Sequence, residues 1–123
     1  MTSRPRQRIP VAVLGATGAV GQRFVELLAE HPWFELAELV ASDRSAERPY
    51  REAVHWLGKG ELPAAAAERA VTRAGDDLAS PLVFSALGRE VAAELEPLYA
   101  GRGHHVVSNA SAFRTHPRVP LLV

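Results

Sequence analysis

A doubly wound parallel α/β sheet is the fold class the sequence predicts, and three observations predict it. Short apolar runs recur at residues 9–14, 36–41, 81–85 and 105–107, as strands buried on both faces do. Segments of helical spacing alternate with them, which is the order of a parallel sheet with helices on its faces. The first strand also runs straight into a turn with glycines at its first, fourth and seventh places, Gly15-Ala16-Thr17-Gly18-Ala19-Val20-Gly21, and a helical pattern follows at once.

Each element follows in order. Residues 1–8 carry Arg4, Arg6 and Arg8 and read as a disordered tail. Residues 9–123 read as one domain. The run 9–14 is the first strand. Val20, Phe24, Leu27 and Leu28 fall at i, i+4, i+7 and i+8 and predict the buried face of the first helix, with Gln22, Arg23 and Glu26 off it. His31-Pro32 ends that helix, since the residue before proline avoids the helical region. Residues 36–41 are a second strand and Ser42-Asp43-Arg44-Ser45 its turn. Residues 47–57, with Tyr50 and Trp56, are ambiguous between a short helix and irregular chain; 64–70 reads as helix or linker, and Val71 as part of a short strand. Residues 81–85 are a buried strand. Val91, Leu95, Leu98 and Tyr99 predict the apolar face of a second long helix, which Pro97 kinks or restarts. Gly101 and Gly103 close it. Residues 105–107 are a strand, 108–117 a polar loop, and 120–123 the start of one more strand. An apolar strand that simply stops predicts that the chain is truncated.

Composition narrows the function classes. The 123 residues hold fourteen basic and fourteen acidic side chains and are 47% hydrophobic, an ordinary globular balance without the basic excess of a nucleic-acid binder. There is no cysteine, hence no disulfide, thiolate metal site or cysteine nucleophile in these residues. The apolar run after the N-terminal arginines is too short for a signal peptide, and none reaches a membrane span. A cytoplasmic protein is expected, contacting neither nucleic acid nor membrane. The five histidines lack ligand spacing, so no metal is expected. Trp33 and Trp56 read as packing residues.

The glycine turn carries the chemistry. Bound pyrophosphate needs close approach of backbone N–H groups, which side chains obstruct. Gly15 permits the sharp turn, Gly18 the close approach and Gly21 tight packing of helix on strand. The amides of Ala19, Val20 and Gly21 and the helix dipole attract the anion, and Thr17 adds a hydroxyl. In such sheets the end of the second strand faces the adenosine ribose. Ser42, Arg44 and Ser45 offer a bidentate cation and two hydroxyls to a 2′-phosphate, which favours NADP. Asp43, turned inward, would favour NAD.

These segments resemble a known family. Residues Gly15 to Phe24, followed by His31-Pro32-Trp33-Phe34-Glu35, resemble the start of the aspartate-semialdehyde dehydrogenases of archaea, fungi and some bacteria. Ala41-Ser42-Asp43-Arg44-Ser45-Ala46 is similar to the family's 2′-phosphate loop. Val83-Phe84-Ser85-Ala86-Leu87 resembles its strand and turn beside the nicotinamide ribose, which implies cofactor contacts at Ser85, Ala86 and Leu87. Val107-Ser108-Asn109-Ala110-Ser111-Ala112-Phe113-Arg114 is the most specific match, and implies that Asn109 lines the nicotinamide and substrate pocket and that Arg114 holds the substrate phosphate. The resemblance covers nearly the whole chain from Ile9. Gly88 stands where the family has proline, and Glu47-Arg48 where it has Gly-Lys, which brings the shape of that loop into question.

The resemblance implies a Rossmann-type domain truncated before the catalytic and dimerisation domain. It implies NADPH-dependent reduction of 4-phospho-aspartate to aspartate semialdehyde, in lysine, methionine and threonine biosynthesis. In that chemistry a cysteine attacks the acyl phosphate, phosphate leaves, hydride reduces the thioester and a histidine moves protons. Neither catalytic residue falls in this segment. The chain is therefore expected to bind cofactor without catalysing, and to form a homo-oligomer at full length with an acyl phosphate or semialdehyde as substrate. Two alternatives stay open: an N-acetyl-glutamyl-phosphate reductase, whose corresponding segment reads Asp-Leu-Ser-Ala-Asp-Phe-Arg, and a non-catalytic NADP-binding module.

Overall fold

A computed structural model describes residues 8–58 and 60–108. Strand β1 (Ile9–Leu14) enters helix α1 (Ala19–Leu28) through the glycine turn. Strand β2 (Phe34–Ala41) leads to a single 3-10 turn (Asp43–Ser45) and two one-turn helices, α2 (Tyr50–Ala53) and α3 (Ala64–Ala67). Then come β3 (Thr72–Arg73), β4 (Leu82–Ser85), α4 (Arg89–Gly101) and β5 (His105–Ser108). The strands form one sheet in the order β3-β2-β1-β4-β5, and every pairing is parallel. The predicted doubly wound sheet is present, and the chain reverses its direction of travel across the sheet between β1 and β4.

Alternation along β1 divides the core into two layers. Val11 and Val13 face α1, α2 and α3, packing with Val25, Leu28, Tyr50 and Ala66. Ala12 and Leu14 face the other layer with Val40, Val83 and Tyr99 of α4. A bulge adjusts β2 to this scheme. Val11 is aligned with Leu36 but Ala12 with Glu38, so Ala37 is the extra residue. The slip places Leu36 and Leu39 in the same layer, although strict alternation would separate them. The Ala37 carbonyl accepts from the Arg69 guanidinium at 3.0 Å. On the opposite face, the Glu38 carboxylate accepts from the Ser80 N–H at 2.8 Å and the Ser80 hydroxyl at 2.6 Å.

Both long helices bury only part of the face expected: Leu28 of α1 and Tyr99 of α4 are buried, and Phe24 and Leu95 pack partly buried against the two core layers. In α1 the buried residues are Gly21, Gln22, Val25 and Leu28, while Val20 is 45% and Leu27 57% exposed. Backbone packing decides this. A Cβ on Gly21 would overlap the Gly15 carbonyl oxygen and lie 2.7 Å from its carbon. Only the side of the helix bearing glycine can dock on the turn, and Val25 and Leu28 follow it one and two turns on. Gln22, expected off the face, is buried because its amide finds three backbone partners. In α4 the buried residues are Ala92, Glu96 and Tyr99, with Val91 and Leu98 exposed. Helix α4 runs through Pro97 without restarting, and the carbonyl deprived of its donor belongs to Ala93, which is exposed. Trp33, expected to pack, is 63% exposed. The strand expected at Val71 starts one residue later, and the final strand at 120–123 lies outside the described residues.

Candidate functional site

The crevice between β1 and β4 lies where the winding reverses, which is where open α/β sheets bind ligands. Two turns wall it. The first is the glycine turn, where Gly15 takes φ +77°, a value that suits glycine. A Cβ there would stand 3.0 Å from the Ala86 carbonyl oxygen and 3.2 Å from Leu87 Cδ2. The second turn, starting at Ala86, thus abuts the first, and the Ala86 N–H donates to the Leu14 carbonyl at 2.9 Å. Gly18 is extended (φ −81°, ψ 170°) and caps α1 without a side-chain hydrogen bond. A Cβ on Gly18 would meet only the Gly15 carbonyl, at 3.6 Å, so the turn presents bare backbone outward.

The hydrogen bonds of the turn sort its donors from its acceptors. The Gly15 and Ala16 amides both donate to the Val40 carbonyl, at 2.9 and 3.0 Å, anchoring the turn to β2. Each carbonyl is held from inside. That of Gly15 accepts from the Gly18 N–H at 3.1 Å, that of Ala16 from the buried Tyr50 hydroxyl at 2.6 Å, and that of Thr17 from Gln22 Nε2 at 3.0 Å. The amides of Thr17, Ala19, Val20 and Gly21 have no acceptor among the described residues. Four donors at the positive end of a ten-residue helix, with the nearby carbonyls turned inward, form a cradle for an anion.

Tyr50 and Gln22 are the residues that sequence reasoning missed. Burial pushes the Tyr50 phenol well above the usual tyrosine range, so it stays protonated and donating. Gln22 also donates to the His55 carbonyl at 3.0 Å, and its Oε1 accepts from the Leu57 N–H at 2.7 Å. It therefore ties the turn to the chain beyond α2. A cleft of about 230 Å³ adjoins it, lined by Ala19, Gln22, Arg23, Glu26, Leu57 and Gly58.

Beyond β2, Ser42 and Arg44 are exposed, whereas Ser45 is 9% exposed. Two of the three residues expected at a 2′-phosphate thus face solvent, and Ser45 is turned inward. Glu47 takes φ +68°. The conformation that suits glycine is kept with a glutamate in it, and the loop closes through the Arg48 N–H on the Ser45 carbonyl at 3.2 Å. The Arg48 guanidinium points away, donating to the Glu52 carbonyl at 3.0 Å. A second cation stands beside the loop. Arg73 of β3 is aligned with Ala41, a position that the short strand expected at Val71 does not single out.

On the β4 side, Ser85 shares with Val83 the face covered by α4. It is fully buried, and its hydroxyl has no partner among the described residues. Ala86 and Leu87, not the Ser85 side chain, wall the crevice. Ser85 is aligned with Ser108, whose hydroxyl donates to the buried Glu96 carboxylate at 2.8 Å. Asn109 and Arg114 lie outside the described residues. Among the described residues no group of three or more His, Cys, Asp or Glu could hold a metal ion. No described helix is long and apolar enough to cross a membrane.

Comparison with known proteins places this arrangement. A model of the semialdehyde dehydrogenase family, NAD-binding domain, matches residues 10–123. An aspartate-semialdehyde dehydrogenase of Archaeoglobus fulgidus is 45% identical over 117 residues, which are 94% of this chain and 34% of that protein. One from Saccharomyces cerevisiae is 43% identical over 113 residues, 90% of this chain and 31% of that protein. Among solved structures, the aspartate-semialdehyde dehydrogenase of Candida albicans with NADP superposes with a TM-score of 0.86 at 41% identity, over 95% of this chain and 34% of that one. Aspartate-semialdehyde dehydrogenase II of Vibrio cholerae gives a TM-score of 0.73 at 31% identity, over 95% and 35%. The chain spans about a third of the length of the relatives it matches.

Proposed function

The chain belongs to the semialdehyde dehydrogenase family, NAD-binding domain, and we propose that it is the NADP-binding portion of an aspartate-semialdehyde dehydrogenase. The observation that carries this is the sorted turn: inward carbonyls on Gly15, Ala16 and Thr17, and outward amides on Thr17, Ala19, Val20 and Gly21. Such a surface fits a pyrophosphate and repels a cation. The bare backbone at Gly18 leaves room for close approach. Ser42 and Arg44 would take the 2′-phosphate of the adenosine half, and Ala86 and Leu87 would border the ribose of the nicotinamide half. Bound NADPH supplies a hydride. The described residues bind and orient; the chain contains no cysteine, so a thiolate cannot come from it. In the whole enzyme the substrate would be 4-phospho-aspartate, with Asn109 and Arg114 assigned to its pocket by resemblance to the family.

The test is a fluorescence titration of the chain with NADPH and with NADH. NADPH is expected to bind more tightly. Arg44→Ala should weaken NADPH far more than NADH. Equal affinities in the parent chain, or equal losses in Arg44→Ala, would remove the 2′-phosphate assignment. The chain is also expected to show no turnover of aspartate semialdehyde with phosphate and NADP, and sustained turnover would overturn the division of labour.

A further inference from the structure

Among the described residues Glu47 is the one non-glycine residue with a positive φ, +68°, a conformation that L side chains rarely adopt. The strain is imposed from both sides. The Glu47 N–H donates to the Val71 carbonyl at 2.7 Å, and the Val71 N–H donates to the Arg48 carbonyl at 2.9 Å. Glycine would satisfy that backbone without strain. What glutamate adds is an exposed carboxylate, which makes no hydrogen bond or ion pair with another described residue. Persistent strain beside a ligand loop directs attention to what the side chain does there.

The charges around that carboxylate define its effect. Arg44, three residues earlier, is exposed on the 2′ loop. Arg48 is directed to the Glu52 carbonyl, and Glu52 itself lies beside Arg51. Arg73, at the end of β3, reaches Asp76 at 3.7 Å. Asp43 adds a second acid to the loop sequence. Two of these three cations thus have other partners, and Glu47 places a negative charge three residues along the same loop from Arg44.

We propose that Glu47 is a specificity-determining residue whose carboxylate opposes the 2′-phosphate and so restrains the preference for NADP over NAD. The proposal rests on the NADP reading above. Were the carboxylate and a phosphate dianion one Debye length apart, about 10 Å, Coulomb's law in a water-like medium would give roughly a threefold effect on affinity at low salt. Screening removes most of it at high salt.

The experiment measures NADPH and NADH dissociation constants for the full chain and for Glu47→Gln, Glu47→Gly, Glu47→Asp and Arg44→Ala, at low and at high ionic strength. Glu47→Gln and Glu47→Gly should each raise the NADPH-to-NADH preference about threefold at low salt, without strengthening NADH. Glu47→Asp should leave it unchanged, and high salt should erase the gain. Glu47→Gly should also raise the urea midpoint, which separates relief of strain from removal of charge. An unchanged preference in Glu47→Gln at low salt, or equal shifts for both cofactors, would overturn the proposal. If Arg44→Ala abolishes the preference while Glu47→Gln leaves it, only the Glu47 assignment falls. If Arg44→Ala weakens both cofactors equally, the NADP reading falls with it.

Discussion

Replacing Gly21 and Gly18 by alanine, one at a time, separates the two tasks of the glycine turn. At Gly21 the added Cβ overlaps the Gly15 carbonyl oxygen and lies 2.7 Å from Gly15 C and 2.9 Å from Ala16 Cα. All three are backbone atoms of a turn anchored twice to Val40, so no side chain can swing aside. Helix α1 must lift from the turn. Overpacking of this kind costs about 1–3 kcal/mol, and the upper end applies where only backbone can yield. With a urea slope of about 2 kcal/mol/M, the midpoint should fall by about 1.5 M. At Gly18 the backbone is extended and the nearest atom is 3.6 Å away. The cost is that of a poor helix cap, about 1 kcal/mol or less, and the midpoint should fall by no more than about 0.5 M. Binding should fall the other way round. The Gly18 methyl stands on the outward surface of the turn, so Gly18→Ala should lose at least about tenfold in NADPH affinity while remaining folded. The assays are urea denaturation followed by circular dichroism and an NADPH fluorescence titration. Wild-type NADPH affinity in folded Gly18→Ala would refute the view that pyrophosphate lies over this turn. A wild-type urea midpoint in Gly21→Ala would refute the docking of α1 on it.

Other outcomes follow from the residues that hold the turn. Tyr50→Phe leaves the Ala16 carbonyl without its donor and should cost about 1–3 kcal/mol in urea denaturation; an unchanged midpoint would mean that the bond contributes nothing. Because burial raises the folded pKa of Tyr50, its share of stability is present in full below about pH 10 and is lost as pH rises above that, by up to about 1.4 kcal/mol per pH unit. Tyr50→Phe should flatten this alkaline loss, leaving the part due to Tyr99, which burial also raises; equal slopes would contradict the assignment. Gln22→Glu keeps the acceptor for Leu57 but sets a carboxylate against the Thr17 and His55 carbonyls. It should destabilise by about 3 kcal/mol at neutral pH, with recovery on acidification, and a midpoint independent of pH would count against the bridge.

The strands and the glycine turn were legible in the sequence because local pattern dictates them. Runs of valine and leucine bounded by glycine or proline have few other places to lie than mid-sheet. The helix faces were legible only in part: Leu28 and Tyr99 are buried as their spacing predicts, whereas Val20, Leu27, Val91 and Leu98 are exposed. Hydrophobic spacing marks the stripe Val20, Phe24, Leu27 and Leu28, but Gly21 sets the rotation of α1 through a backbone contact that no hydropathy pattern records. Gln22 is buried because partners 33 and 35 residues away satisfy its amide, so its environment is a product of the fold. The same holds for Leu36 and Leu39, which share a layer only because β2 bulges at Ala37. At the site, Ser42 and Arg44 stood out as types that suit a 2′-phosphate. Ser45 could not be told from Ser42 until the 3-10 turn set one inward and the other out. A short strand is expected at Val71, but two residues have no periodicity, so nothing in the sequence sets Arg73 beside Ala41.

The turn owes its selectivity to which way its peptide groups face, and a peptide group cannot show both ends to a ligand. Alternating orientation would place carbonyl oxygens beside the amides and cancel much of the attraction for an anion. Here each of the first three carbonyls has a named donor on the protein side, and two of those donors, Tyr50 and Gln22, come from outside the glycine pattern. Both are buried, so water competes poorly for them and the peptide planes are held before any ligand arrives. A preorganised donor set loses little entropy on binding. Glycine spacing therefore makes the close approach sterically possible, while Tyr50 and Gln22 make the approached surface electropositive. A chain with the same glycines but without those two donors would form a turn of similar shape and a weaker anion site.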